Sequence, residues 1–575
     1  MVRTVIDELC ESLIDKEGLT PSQLSEELGI DKEKILYLVD VLSSVDVVSL
    51  QEHPLGEPRI ILHQVLHKPR VKQYVGKVLD EYSVTSFGIT AKVEIIDVPD
   101  QTVNTYNLSY PLIGPYTERY LDIIRDQLAR EIKITSEDIF DKRRSKHVLE
   151  TFHNKAVPYL KNIPNLKDKD MRILIGTLLQ KMYGLGVIEY LINDDGLEEI
   201  AINNSETPIV VYHKKYGWLM TNIQISSEEE IYAYSSQIGR KSGREITLLN
   251  PIMDAHLYTG ERVTATLFPI STEGHTITIR KFARNPWTIT EFINLNTLSL
   301  DMAALLWQAV QYEMNILIGG GTASGKTSML NVISAFIPPT ERIVSVEETR
   351  EINLPKFLKW NWVPLTTREP NVEGKGGVSM LDLIQSSLRL RPDRIIVGEV
   401  RKETEAQVMF EAMHTGHSVY STMHADTSEQ IIRRLTHQPF NIPTTEMETL
   451  QLLIIQYRDR RTGRRRTFEI SEIARSSEGI SVNHLFAWSP RTDKFNKVGR
   501  RTRIFEELNL HTGMTPEEQE KDLKQKKTIL NWMIKQGITH IDTVGSVVNA
   551  YYKSPETVLK GIKNKWSLSK ILDMI

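Results

Sequence analysis

Cysteine is almost missing: Cys10 is the single one in 575 residues. An intramolecular disulfide and a thiolate metal cluster are therefore excluded, which fits a reducing compartment. Long apolar runs are also missing. Residues Met1 to Glu11 contain no uninterrupted apolar core of a signal peptide, and no later stretch reaches the ~18 apolar residues needed to span a bilayer. A cytoplasmic chain without direct membrane insertion is expected. Nor is one sign of charge in large excess: the net charge is −4, so overall charge implies no polyanion partner. Collagen-like and disordered biases are absent too, with 40% apolar and 25% charged residues. What the chain has is length, more than one hydrophobic core absorbs, so two to four domains are expected.

Residues 1–62 open with Thr20 and Pro21 as an N-cap and N1 pair, Gly29 as a stop, Asp31 as a second cap and apolar periodicity to Leu42. Short β-type runs follow at Val45–Leu50 and Ile60–Leu62, separated by Pro54, Gly56 and Pro58. Two helices and a hairpin make a winged-helix-like segment. Its first 60 residues carry five Lys/Arg against thirteen Asp/Glu, where phosphate contacts need a basic face. A protein-docking module is the favoured reading.

Residues 63–285 mix β-type runs (Ala91–Val98, Ile209–His213, Thr276–Lys281) with helical ones (Tyr116–Ile132, Ile173–Gly184), an α+β pattern. Pro286 breaks both periodicities, which places a hinge around Phe282–Trp287. From Thr288 to about Glu472, within a segment taken as 288–514, apolar strands alternate with helices as in an open, mostly parallel α/β sheet. Residues 515–575 are helical, with Thr515–Pro516 and Ser554–Pro555 as starts.

The chemistry sits in the third segment. Asn315–Ile318 reads as a strand, followed by Gly320, Gly321, Thr322, Ala323, Ser324, Gly325, Lys326 and Thr327, then a helix from Ser328. This is strand–GxxxxGK[ST]–helix, the phosphate-binding loop in its required context. Glycines let backbone N–H groups turn around phosphate oxygens, and the helix adds its positive end. Lys326 would reach the β- and γ-phosphates of ATP, and Thr327 would hold Mg²⁺. Acidic groups should then sit at the carboxyl ends of neighbouring strands. Ile343–Val346 ends in Glu347 and Glu348, and Arg394–Gly398 ends in Glu399. Glu399 is assigned to the metal, and Glu347 to the attacking water as general base, with Glu348 as the alternate.

Two further groupings carry less. His414, His417 and His424 have spacing unsuited to zinc. Tyr457–Thr467 reads as a hairpin with six arginines around a Thr-Gly turn; a solvated hairpin fits better than a grip on nucleic acid, because no aromatic platform beyond Tyr457 is interleaved.

Four ordered stretches now stand together: the phosphate loop, Ile343–Glu348, Leu388–Arg401 and Thr415–Ala425. They resemble the phosphate loop, Asp box, Walker B and His box of the type II/IV secretion ATPases, and Trp532-Met533 and Tyr551-Tyr552 look most like archaeal members, including the archaellum motor. The resemblance covers roughly residues 100–575 and excludes 1–62. It implies a RecA-like core and a homo-hexamer that turns ATP hydrolysis into motion at a polytopic membrane platform protein. The chain would then be held at the inner face of the membrane through partners, without nucleic acid. It also implies cationic groups from the N-terminal domain near the nucleotide, for which Arg262 and Arg280 are the candidates. The competing expectations are a helicase or DNA translocase and an adaptor that binds ATP without turnover. The acidic start and the complete His box count against the first, and the three glutamates against the second.

Overall fold

The computed structural model describes residues 2–53, 56–66, 74–99, 101–132, 142–257, 260–281, 286–368, 370, 374–476 and 479–575. Pro54 of the expected turn and residues 282–285 of the expected hinge lie outside them. The chain divides into two compact units, Met1–Phe282 and Ala283–Ile575.

The first unit begins with three helices, Val5–Ser12, Pro21–Leu28 and Lys32–Ser43, and an antiparallel hairpin pairing Val48–Gln51 with Arg59–Leu62. The second helix starts as its sequence dictates: Thr20 caps Gln23 N–H, Pro21 occupies the first turn, and Gly29 stops it at φ 65°. Asp31 stands at the start of the third helix but makes no capping hydrogen bond, and Val5–Ser12 is one helix more than the periodicity suggested. These helices do not close a core alone. Leu9, Leu38 and Leu42 share one cluster with Tyr120, Leu121, Phe152 and Leu178 from helices Pro115–Glu131, Lys142–Lys161 and Asp168–Tyr183.

A buried carboxylate joins the two segments. Asp7 accepts from Tyr116 N–H at 3.0 Å, Thr117 N–H at 3.2 Å, Thr117 Oγ1 at 2.5 Å and Thr4 N–H at 3.2 Å. It thereby caps the helix Pro115–Glu131, whose own N-cap, Gly114, has no side chain and no room for one: a Cβ there would lie 2.1 Å from Asp7 Oδ2. Asp7→Ala leaves several buried donors without acceptors and is expected to destabilise the chain by about 3 kcal/mol. Urea unfolding followed by fluorescence measures this; a loss below about 0.5 kcal/mol would show that the cap carries no stability.

The rest of the first unit is a nine-stranded sheet. Its order is Lys77–Ser86, Ile89–Asp97, Thr105–Ser109, Gly217–Thr221, Val210–His213, Leu197–Ile202, Thr276–Arg280, Arg262–Thr266, Ile252–His256. All neighbours are antiparallel except Thr105–Ser109 beside Gly217–Thr221.

The second unit is a mixed α/β layer structure around another nine-stranded sheet. Six strands run parallel in the order Trp362–Thr366, Ile343–Glu347, Arg394–Val397, Ser418–Met423, Ile316–Gly320, Leu452–Arg458. Arg465–Ser476, Gly479–Ser489 and Lys494–Lys497 extend it antiparallel. Alternation explains the two cores. Ile316, Ile318, Ile343, Ile396 and Tyr420 enter one cluster, while Leu317, Val344, Ile395 and Val419 enter the other. A parallel sheet covered on both faces needs such continuous apolar runs.

The C-terminal helices, from Pro516–Lys535 to Leu568–Asp573, belong to the first of these clusters: Ile529, Met533 and Val547 pack with Met302, Trp307 and Phe336. At their centre Lys526 is fully buried, paired with Asp522 and set 5.2 Å from the Tyr551 ring and 5.9 Å from Trp307. Burial lowers its ammonium to about 8, with Asp522 pulling the other way.

Candidate active site

The loop after Ile316–Gly320 is shaped by residues without side-chain bulk. Gly320 has φ 152°, and a Cβ there would sit 2.4 Å from Ser324 Oγ and 2.5 Å from Gln456 O. Gly325, at φ 96°, begins the helix Lys326–Ser334, which has no side-chain cap. Its first N–H groups are thus left for a ligand, the arrangement that binds anions. Thr322 and Ala323 are exposed at the apex, and Thr327 and Ser328 are half-buried on the first helical turn. Lys326 Nζ donates to Gly320 O at 3.0 Å and Gly321 O at 3.2 Å, and lies 3.4 Å from His424 Nδ1. Burial lowers its ammonium pKa, opposed by Glu399.

The acids gather at the carboxyl edge of the same sheet. Glu399 Oε2 accepts from Arg401 Nε at 2.8 Å, and Arg401 Nη1 reaches Glu348 Oε2 at 2.7 Å. His424 Nε2 is 3.0 Å from Glu399 Oε1, but out of hydrogen-bonding alignment, so that buried oxygen has no hydrogen bond. Lys326, His424, Glu399, Arg401 and Glu348 therefore form one continuous chain of contacts. Glu347 is different. Its carboxyl is buried, Oε1 accepts from Glu351 N–H and Ile352 N–H at 2.8 Å each, and Oε2 has no partner. Burial pushes it up to about 7, while the two N–H bonds pull down. An acid with one free oxygen and a pKa near neutrality suits general base work, whereas Glu348 is held in an ion pair.

The donor set fits Mg²⁺. That ion takes one or two protein oxygens and fills its octahedron with water and phosphate. Glu399 Oε1 is a buried carboxylate oxygen without a hydrogen bond, and the Thr327 hydroxyl makes none among the described residues.

The three histidines separate along the chain and the strand. His417 precedes Ser418–Met423, with Nδ1 3.0 Å from Thr415 Oγ1, while His424 follows that strand beside Lys326. His414 pairs with Glu446 at 2.6 Å. Arg262 and Arg280 lie in the first unit as direct cross-strand partners, and Arg262 Nη2 is 3.6 Å from Asp254 Oδ1. Sequence reasoning gave no role to Arg401, although it lies two residues after Glu399. It also missed Arg465, whose Nε donates to Ala323 O at 3.1 Å from 142 positions away.

Residues 249–541 match a family model described as type II/IV secretion system protein. The chain is 36% identical over 403 residues to the uncharacterized protein MJ0900 of Methanocaldococcus jannaschii, covering 68% of this chain and 71% of that one. It is 32% identical over 284 residues to the type IV secretion system protein PtlH of Bordetella pertussis, covering 45% and 82%. Among solved structures it is similar to the ATPase DotB of Legionella pneumophila at 18% identity and TM-score 0.36, covering 64% and 92%.

Proposed function

Because the chain belongs to the type II/IV secretion system protein family, we propose that it is a Mg²⁺-dependent ATPase that powers a type IV pilus-like filament, an archaellum or a type II-like secretion apparatus. The observation that carries this reading is the chain of contacts from Lys326 through His424 to Glu399 at the end of the phosphate loop. A parallel sheet receives its ligand at that edge.

In this reading the loop from Gly320 to Ser328 wraps the phosphates of ATP, and Lys326 exchanges its carbonyl partners for phosphate oxygens. Thr327 and Glu399 hold Mg²⁺, which neutralises charge on the terminal phosphates when bound. Glu347 accepts the proton of the attacking water on Oε2, with Glu348 as the alternate. His424, between lysine and carboxylate, senses the terminal phosphate. Arg262 and Arg280 act as fingers from the N-terminal segment 63–285, residues 1–62 serve as a docking module, 288–514 as the motor core and 515–575 as its helical extension. The working form is a homo-hexamer at the cytoplasmic face of the membrane, tied to a polytopic platform protein. Among the described residues no helix is long and apolar enough to cross a membrane. Two of the six hairpin arginines are engaged within the fold rather than offered to a nucleic acid: Arg466 is paired with Asp493 at 2.7 Å, and Arg465 donates to the phosphate loop.

The test is a phosphate-release assay on the purified chain with and without Mg²⁺, using two histidine variants. His424→Ala is expected to lower turnover by about 10²-fold, the range for a group acting on the transferred phosphoryl or its water. His417→Ala should keep turnover per assembled particle within about twofold and act on thermal stability instead, since among the described residues its ring makes its hydrogen bonds with Thr415 and Ala412. Equal defects in equally stable assemblies would contradict the division, and Mg²⁺-independent or absent turnover would contradict the ATPase reading.

A further inference from the structure

The hairpin that follows the phosphate-loop strand is fastened to the loop. Leu452–Arg458 lies parallel to Ile316–Gly320, with Gln456 beside Gly320. Its return strand begins at Arg465, whose Nε donates to Ala323 O at 3.1 Å, and whose Cδ lies 3.6 Å from the Cβ position of Gly325. Side chains alternate along a strand, so Arg465 takes the loop-facing side while Arg466 turns away to pair with Asp493.

The register sets Arg465 directly across from Arg458 on the neighbouring strand. Among the described residues no carboxylate pairs with Arg465, and Nε is its one hydrogen-bonding nitrogen, so the remaining fork of the guanidinium has no partner at the apex of a loop built for phosphate. We propose that Arg465 is a phosphate-contacting residue supplied by the chain itself, one N–H holding the Ala323 carbonyl and the others binding the phosphate tail of a nucleoside triphosphate. This rests on the loop binding a nucleotide, as proposed above. A planar fork can hold loop and phosphate at once, with its N–H directions fixed relative to one another.

The experiment measures equilibrium binding of a fluorescent ATP analogue to the full chain, with inorganic tripolyphosphate as competitor. Arg465→Ala is expected to weaken both ligands about tenfold or more. Arg465→Gln keeps a donor for Ala323 but no charge, and should weaken them nearly as much. Arg464→Ala, an exposed neighbour in the turn, should stay within about twofold. Lys326→Ala tests the loop separately. Unchanged affinity in Arg465→Ala, or in Arg465→Gln if the alanine variant unfolds, overturns the arginine contact while loss in Lys326→Ala leaves the nucleotide site standing. Unchanged affinity in all of them removes both.

Discussion

Lys326→Ala is expected to cut ATP turnover by about 10²–10³-fold or more while leaving the fold unchanged. The loop does not depend on this side chain. Its path rests on Gly320 and Gly325 at positive φ and on the Ser324 hydroxyl, which donates to Gly321 O at 2.8 Å. What the ammonium adds is charge: half-buried, pulled to a lower pKa by that burial, and resting on the carbonyls of Gly320 and Gly321. The measurement is phosphate release beside a thermal melt. Full turnover in a folded variant would remove the phosphate-loop assignment, and with it the proposed motor.

The readable parts of the sequence are those whose conformation is set locally. The turn at Gly320–Thr327 needs only its own glycines and its flanking strand and helix, so spacing alone placed it between them. The two histidines were separable for a similar reason: a strand has a direction, and in a parallel sheet direction decides which end meets the ligand. Packing across long separations was not readable. Asp7 finds Thr117 110 positions away, so residues 1–62 look like a module by composition yet share a core with helices of the next segment. The C-terminal helices look like a tail, yet Met533 and Val547 lie in the core of the sheet unit. Arg465 was visible only as one of six arginines in a hairpin, because the partner that distinguishes it is a backbone carbonyl, which no side-chain pattern records.

Glu347→Gln is expected to lower turnover by about 10²–10⁴-fold, the range for losing a general base. The same substitution should also leave a mark in the pH dependence of stability. The Glu347 carboxyl is raised in the folded chain to about 7 from the ordinary 4.5, first by burial and then by the neighbouring Glu351. The folded chain therefore prefers it protonated, on Oε2, the oxygen without a partner. Its favourable contribution is complete below pH 4.5 and is lost as pH rises through about 7, above which a buried anion must be carried. Glutamine keeps an oxygen for the Glu351 and Ile352 N–H groups and never ionises. The variant should thus melt with the unaltered chain near pH 5 and above it at pH 8, while losing turnover at both. In the unaltered chain turnover should climb with pH through about 7 as the base is freed. A variant that loses turnover but melts lower at pH 8 would mean that Glu347 is ionised and anchored in the fold, and the proton would then have to pass to Glu348, from which Arg401 must first withdraw.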